Sequence, residues 1–312
     1  MVRNCQSAGL AGYTSRSFLA RLFEPMEIGM RTRPVDSVQS PLNLILPIKS
    51  WLQFKESSAA IHFREEQIIA SREAVGNMHF ARYVELGDHN HLGYFAVFDG
   101  EFRSYFSEFI NYVGPVFDVL FQHVVDGPPL PCARNREPFI DWIVAHKLES
   151  IAFYTAYPTL NVKEIKARID TRGGGADAWE QSHLTLLLPV KSPNHFVALR
   201  QLLTQFLPQL HAALDTIGTV HFFRFVPFGT HAVALVAEHD DSQEKLAQDF
   251  STHLGSVFNE IFENVMDGPP TPVQENMRAF THWIVSHNLE GWTLYSAYPT
   301  LDVKKIRSSV AG

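Results

Sequence analysis

Residues 42 to 50 read Leu-Asn-Leu-Ile-Leu-Pro-Ile-Lys-Ser and residues 184 to 192 read Leu-Thr-Leu-Leu-Leu-Pro-Val-Lys-Ser. Each is a short, bounded run of Leu, Ile and Val closed by a prolyl turn, the pattern of a buried strand. Behind the second run, Phe196, Leu199, Leu203, Phe206, Leu210 and Leu214 recur at steps of three and four. That spacing predicts one apolar helical stripe, kinked at Pro208. The stretch 51 to 75 is its weaker counterpart, with Trp51, Phe54, Ile61, Ile68 and Ile69 set among charges. Two strands with a short link follow in each half, at 78–86 with 92–99 and at 219–228 with 231–238. Long amphipathic helices are then predicted from about 101 to 125 and from about 243 to 266, behind the acids Asp99 and Asp240–Asp241. Both should stop at Asp-Gly-Pro-Pro, where glycine can turn left-handed and proline cannot continue the ladder. A short helix bearing Trp142 or Trp283 and a closing strand, 151–160 or 292–301, complete each half.

The halves are copies. Residues 121 to 165 return without a gap at 262 to 306, and roughly half of the aligned positions are identical, which marks a tandem duplication. The order strand, helix, strand, strand, helix, short helix, strand predicts an α+β protein: tandem duplicated ferredoxin-like modules (βαββαβ with an inserted short helix) packed as an α+β barrel or sandwich. The expected divisions are a disordered or extended leader at 1–40, a first repeat at 41–170, a linker at 171–181 around Arg172-Gly-Gly-Gly-Ala, and a second repeat at 182–312.

Composition narrows the partners. The net charge is -7 and the pI near 6.1, so there is no basic field for a nucleic acid. No apolar run reaches the length of a membrane span. Cys5 and Cys132 cannot build a disulfide or metal framework, and Val273 stands where the second copy would repeat Cys132, which fits a reducing, cytoplasmic compartment. Arg3, Arg16 and Arg21 precede the first acid, Glu24, among serines, a composition compatible with an organelle transit peptide. A homodimer is compatible with the pattern.

The element order over about 42 to 308 resembles the dimeric α/β-barrel superfamily in fused tandem form. That superfamily includes dye-decolourising peroxidases and chlorite dismutase-like haem proteins, cofactor-free monooxygenases and non-catalytic members. The counterpart here of the peroxidases' Gly-x-x-Asp-Gly loop is Ala96-Val97-Phe98-Asp99-Gly100, which lacks the leading glycine and reads as a strand end and helix cap. For a haem member, the resemblance implies a helix-borne proximal histidine in the C-terminal module. It carries that role onto His253, as metal ligand, with Arg224 on the distal side.

The residues themselves nominate Arg82 and Arg224, matched between copies on a face expected to look into the barrel. A buried arginine needs an anion there, whether a ligand carboxylate, a haem propionate or a protein Glu or Asp. His79 and His221, three residues earlier, are expected on the opposite face. His253, whose counterpart is Tyr112, is expected on the stripe of Leu246, Phe250, Val257 and Ile261, facing the sheet. His146 and His287 read as helix-end groups, and the paired tyrosines Tyr154/Tyr157 and Tyr295/Tyr298 as packing residues. Arg224, His253 and Arg82 are thus the catalytic candidates, with His253 and Arg224 as cofactor-binding candidates. The leading expectation is binding of, or cofactor-free catalysis on, an apolar small molecule in a pocket between sheet and helices. The alternatives are a haem-dependent peroxidase or oxidase and a non-catalytic structural or dimerisation module.

Overall fold

The structure is a computed structural model and describes residues 37–87, 90–170 and 181–309. The leader up to residue 36 and the glycine-rich stretch 171–180 lie outside the described residues. In the first copy the elements are β1 (Gln39–Pro47), α1 (Trp51–Phe63), α2 (Glu65–Val75), β2 (Met78–Glu85), β3 (His91–Asp99), α3 (Phe102–Phe121), α4 (Arg136–His146), β4 (Ala152–Thr155) and α5 (Val162–Asp170). The second copy gives β5 (Ser182–Pro189), α6 (Pro193–Gln205), α7 (Leu207–Ile217), β6 (Val220–Phe228), β7 (Ala232–His239), α8 (Gln243–Asn264), α9 (Met277–His287), β8 (Gly291–Ser296) and α10 (Val303–Ser308).

The strands form two four-stranded antiparallel sheets, ordered β1-β3-β2-β8 and β4-β6-β7-β5. Each copy therefore sends its closing strand to the other copy's sheet. The reason lies at the free edge of β1, where an unexchanged closing strand would have to lie. Leu148 N, just after α4, already donates to Asn43 O at 2.8 Å, and Leu289 N, after α9, donates to Thr185 O at 2.8 Å. With that edge taken, the chain crosses to the open edge of the opposite sheet and hides unpaired backbone there. The exchange ties the copies together and brings the residues that follow β4 and β8 into the space between the sheets.

Helices cover the outer faces, α1 to α3 over the first sheet and α6 to α8 over the second. The predicted helix at 51–75 breaks at Arg64 with no proline present, whereas its counterpart breaks at Phe206 with Pro208 in the first turn of α7. Both second segments end on a left-handed glycine, Gly76 and Gly218, with φ of 69° and 68°. The long helices stop earlier than Asp-Gly-Pro-Pro, at Phe121 and Asn264, because Val124 and Val265 turn back to bridge Ile48 and Val190. The left-handed residue of that motif is the aspartate, Asp126 or Asp267, and not the glycine. Among the described residues no helix is long and apolar enough to cross a membrane.

Candidate functional site

Three layers fill the space between the sheets. At one end Ile45, Val84, Phe95, Val226 and Val236 make an apolar plug. The middle layer is ionic. Arg82 and Arg224 point inward and are 2% and 0% exposed. Glu238, from β7, is the anion of both. Arg82 Nη1 donates to Glu238 Oε1, and Arg224 Nη1 donates to Glu238 Oε2 at 3.4 Å. Arg82 also donates to Thr185 Oγ1 at 3.1 Å and Leu184 O at 3.1 Å, and Arg224 Nε donates to Asn43 Oδ1 at 2.9 Å. Burial lowers the Arg224 guanidinium to about 10 and also lowers Arg82, while Glu238 opposes both shifts. The first copy carries Val97 where the second carries Glu238, so one carboxylate serves two cations. A cavity of about 20 Å³ beside Arg82, Glu238 and His183 is about the size of a water.

The third layer is a hydrogen-bonded chain. His79 and His221 do not point away from the arginines. A β-bulge falls at each, between Met78 and Phe80 and between Val220 and Phe222, and turns the imidazole inward beside the following phenylalanine. His79 lies 2.7 Å from Asp99 through Nε2 and 2.7 Å from Tyr298 through Nδ1. His221 repeats this with Asp240 at 2.6 Å and Tyr157 at 2.7 Å, and the two phenol oxygens meet at 2.9 Å. Tyr157 and Tyr298 thus do more than pack. Asp99 and Asp240, expected to cap the long helices, instead accept from Val162 N and Val303 N at the starts of α5 and α10, at 2.7 and 2.8 Å. Glu101 and Ser242 cap the long helices in their place.

His253 is exposed and does not face the sheet. The buried arc of α8 also includes Ala247, Ser251, Leu254, Gly255, Phe258 and Phe262. At about 100° per residue these positions swing the arc's centre away from 253, leaving it on the water side beyond Leu246. Its counterpart Tyr112 is exposed as well, at 49%. A haem ligated by His253 does not fit these residues, because its proposed ligand faces out and its proposed distal arginine is already neutralised by Glu238. His146 and His287 hold their expected places, donating through Nδ1 to Trp142 O and Trp283 O over 2.7 and 2.8 Å.

A second polar group, absent from the sequence reading, lies on the outer face of the first sheet beneath α2 and α3. Arg72 is 0% exposed and donates through Nη1 to Thr293 O at 2.6 Å. Its Nε and Nη2, and the hydroxyls of Tyr94, Tyr105 and Thr293, make no hydrogen bond within 3.5 Å, although the phenols of Tyr83 and Tyr94 lie near enough to feel the guanidinium. The Tyr83 and Tyr94 rings stand 5.6 and 5.8 Å from the guanidinium carbon. No described acid pairs with Arg72, since the adjacent Glu73 turns to Tyr295 and Lys166. Burial raises all three phenols above the ordinary range, with Arg72 opposing.

The second copy shows what this site replaces. Gly76 and Gly218 N donate to Arg72 O and Leu214 O, Tyr83 pairs with Tyr94 as Phe225 pairs with Leu235, and Tyr105 and Leu246 sit at the same turn of α3 and α8. Four polar residues thus stand where the second copy has Leu214, Phe225, Leu235 and Leu246. Thr293 adds to the asymmetry. It is β-branched yet has φ 51°, at a register shift where β8 pairs β2, whereas Ala152 occupies the matching place in a regular β4. Aligning the copies and asking where a charge replaces a leucine would have found this group.

Two further histidines, the buried His239 and the half-buried His183, set an acid limit. Burial pushes His183 and His239 down to about 3. The unfolded chain takes up protons on these side chains near pH 6.5, and the folded chain takes them up only near pH 3. Their contribution is therefore complete above about pH 6.5 and is lost progressively as the pH falls toward 3. Urea melts across that window should show falling stability, and His239→Phe, which installs the Phe98 of the first copy, should give a shallower fall.

Among the described residues no cluster of three or more His, Cys, Asp or Glu side chains is arranged to hold a metal ion. Compared with protein-family models the chain matches none, and no curated protein matches it by sequence. Solved structures do resemble it. A candidate monooxygenase from Lactobacillus acidophilus NCFM shares 9% identity over 73% of this chain and 90% of its own, with a TM-score of 0.37. A candidate monooxygenase from Fusobacterium nucleatum shares 9% over 85% and 97%, with a TM-score of 0.39. A mutant chlorite dismutase from Candidatus Nitrospira defluvii shares 11% over 88% and 97%, with a TM-score of 0.29. The α+β assignment itself rests on the two four-stranded sheets, their exchanged strands and the helices that cover them.

Proposed function

We propose that this protein binds a small molecule with an apolar body and one anionic oxygen group, held between the first sheet and helices α2 and α3 with Arg72 as its anchor. The observation that carries this reading is the buried guanidinium with two nitrogens that make no hydrogen bond and no acid paired to it among the described residues. A cation kept out of water without an anion is costly, so such a group is retained where a ligand completes it. The reading keeps the sheet-and-helix compartment expected from sequence and changes its anchor from Arg82 or Arg224 to Arg72. The guanidinium is set among aromatic rings, Tyr83 and Tyr94 beside it at 5.6 and 5.8 Å, with Tyr105 stacked 4.6 Å from Phe98 and 5.7 Å from Phe109. A carboxylate, enolate or phenolate oxygen there receives charge-assisted hydrogen bonds from Arg72, and the hydroxyls of Tyr94 and Tyr105 can add neutral ones. In surroundings this apolar, the same donors favour the deprotonated form of a bound enol or phenol.

Thermal melts in increasing benzoate test the proposal. The expected result is a saturable rise in melting temperature, worth about 2.7 kcal/mol at a hundredfold excess over the dissociation constant. It should be absent in Arg72→Leu. An equal rise in that variant, or no rise with benzoate, phenolate or formate in the wild type, overturns it.

A further inference from the structure

The chain Asp99–His79–Tyr298–Tyr157–His221–Asp240 contains five short contacts, and each needs one proton to be a hydrogen bond. Two ionised aspartates, two neutral histidines and two tyrosines supply four. With four, one contact always lacks a proton, and if both aspartates keep theirs, both phenols donate to imidazole nitrogens and their oxygens face each other at 2.9 Å, lone pair to lone pair, in a buried site. With six, both histidines are cations that donate to the phenols, and one hydroxyl proton has no acceptor. Five satisfies every link.

We propose that this chain binds one proton beyond its neutral complement, and that the resulting positive charge is shared between His79 and His221 across the pseudo-twofold axis. Charge bookkeeping over the buried layers gives independent support. Asp99, Asp240 and Glu238 face Arg82 and Arg224, leaving one unbalanced negative charge that a single added proton neutralises. Among the described residues, the other titratable groups around the chain are Glu238 and His239 on β7 and Tyr295 on β8, with His183 on β5 beside His239. The two histidines are held neutral by burial, and the Tyr295 phenol is raised.

The charge moves by a shift of three protons with no change of oxidation state. As the His79 Nδ1–H bond breaks, Tyr298 gains that proton and passes its own to Tyr157, and Tyr157 passes its own to His221 Nδ1. The end states are equivalent to each other by exchange of the two copies. Each places the imidazolium against a different aspartate, and so at the N-terminus of a different helix, α5 or α10.

The test is histidine ¹⁵N NMR at neutral pH on the wild type, Tyr157→Phe and Tyr298→Phe. Removing one phenol leaves three contacts and three protons, so both histidines become neutral with the proton on Nε2. The expected wild-type spectrum shows one imidazolium's worth of Nδ1 protonation divided between His79 and His221, and either variant abolishes it. Near-neutral Nε2-H signals in the wild type, unchanged in the variants, overturn the proposal, as do two full imidazolium signals. Two variants on opposite sides of the axis keep the test usable if one does not fold.

Discussion

Glu238→Val should cost about 3–5 kcal/mol of stability, the largest loss expected from any single substitution in this chain. Valine is the residue the first copy places there, as Val97, so the change introduces no shape foreign to the fold. It does remove the carboxylate that, among the described residues, alone pairs with Arg82 and Arg224, which are 2% and 0% exposed. Both guanidiniums would then be buried without an anion and would repel one another. Urea unfolding of the wild type and Glu238→Val gives the difference directly. Adding Arg82→Met and Arg224→Met should recover most of the loss, because a buried ionic group replaced whole by apolar side chains is often neutral or stabilising. A loss below about 1 kcal/mol in the single variant would show that the arginines find other partners or shed their charge.

Arg72→Leu should act in the opposite direction. Leucine is the residue of the second copy, Leu214, at the same turn of the matching helix and equally buried. The substitution removes two unpartnered donors and a charge, and it gives up one hydrogen bond to Thr293 O at 2.6 Å. A net gain of about 1–3 kcal/mol is expected, visible as a higher urea midpoint. The gain and the loss of benzoate response should come together, the signature of a site kept for function against stability. If Arg72→Leu is instead destabilising by more than about 1 kcal/mol, ordered water satisfies the guanidinium and the residue is structural.

The two copies make this contrast readable. Duplication supplied one scaffold twice, and among the many core positions that differ, two groups place charge or hydroxyls where the other copy is apolar. Glu238 for Val97 lies between the sheets, and the set Arg72, Tyr83, Tyr94 and Tyr105 lies under the helices. The matched groups, His79 with His221 and Tyr157 with Tyr298, meet on the axis and serve both copies at once. A group on such an axis faces its own duplicate, which is why the hydrogen-bonded chain has an odd number of links and two equivalent ends.

Periodicity and repetition were enough to read the strand-forming runs, the two long helices and the order of the elements up to each closing strand, but not the split of 51–75 into two helices or the helices α5 and α10 that follow the closing strands. These follow from local chemistry: an alternation of two in strands, steps of three and four in helices, and glycine or proline where a helix must stop. His253 marks the limit of that reasoning. Four apolar positions defined a stripe that seemed to include it, and six more that became buried only against the sheet moved the stripe away. The bulges at His79 and His221 reversed a face that simple alternation assigned. The partner of each closing strand, the single acid shared by two arginines, the Asp-His-Tyr chain and the isolation of Arg72 were all settled by contacts between residues far apart in the chain. One copy's pattern holds no record of what the other copy brings to its open edge, so only the tertiary structure could decide them.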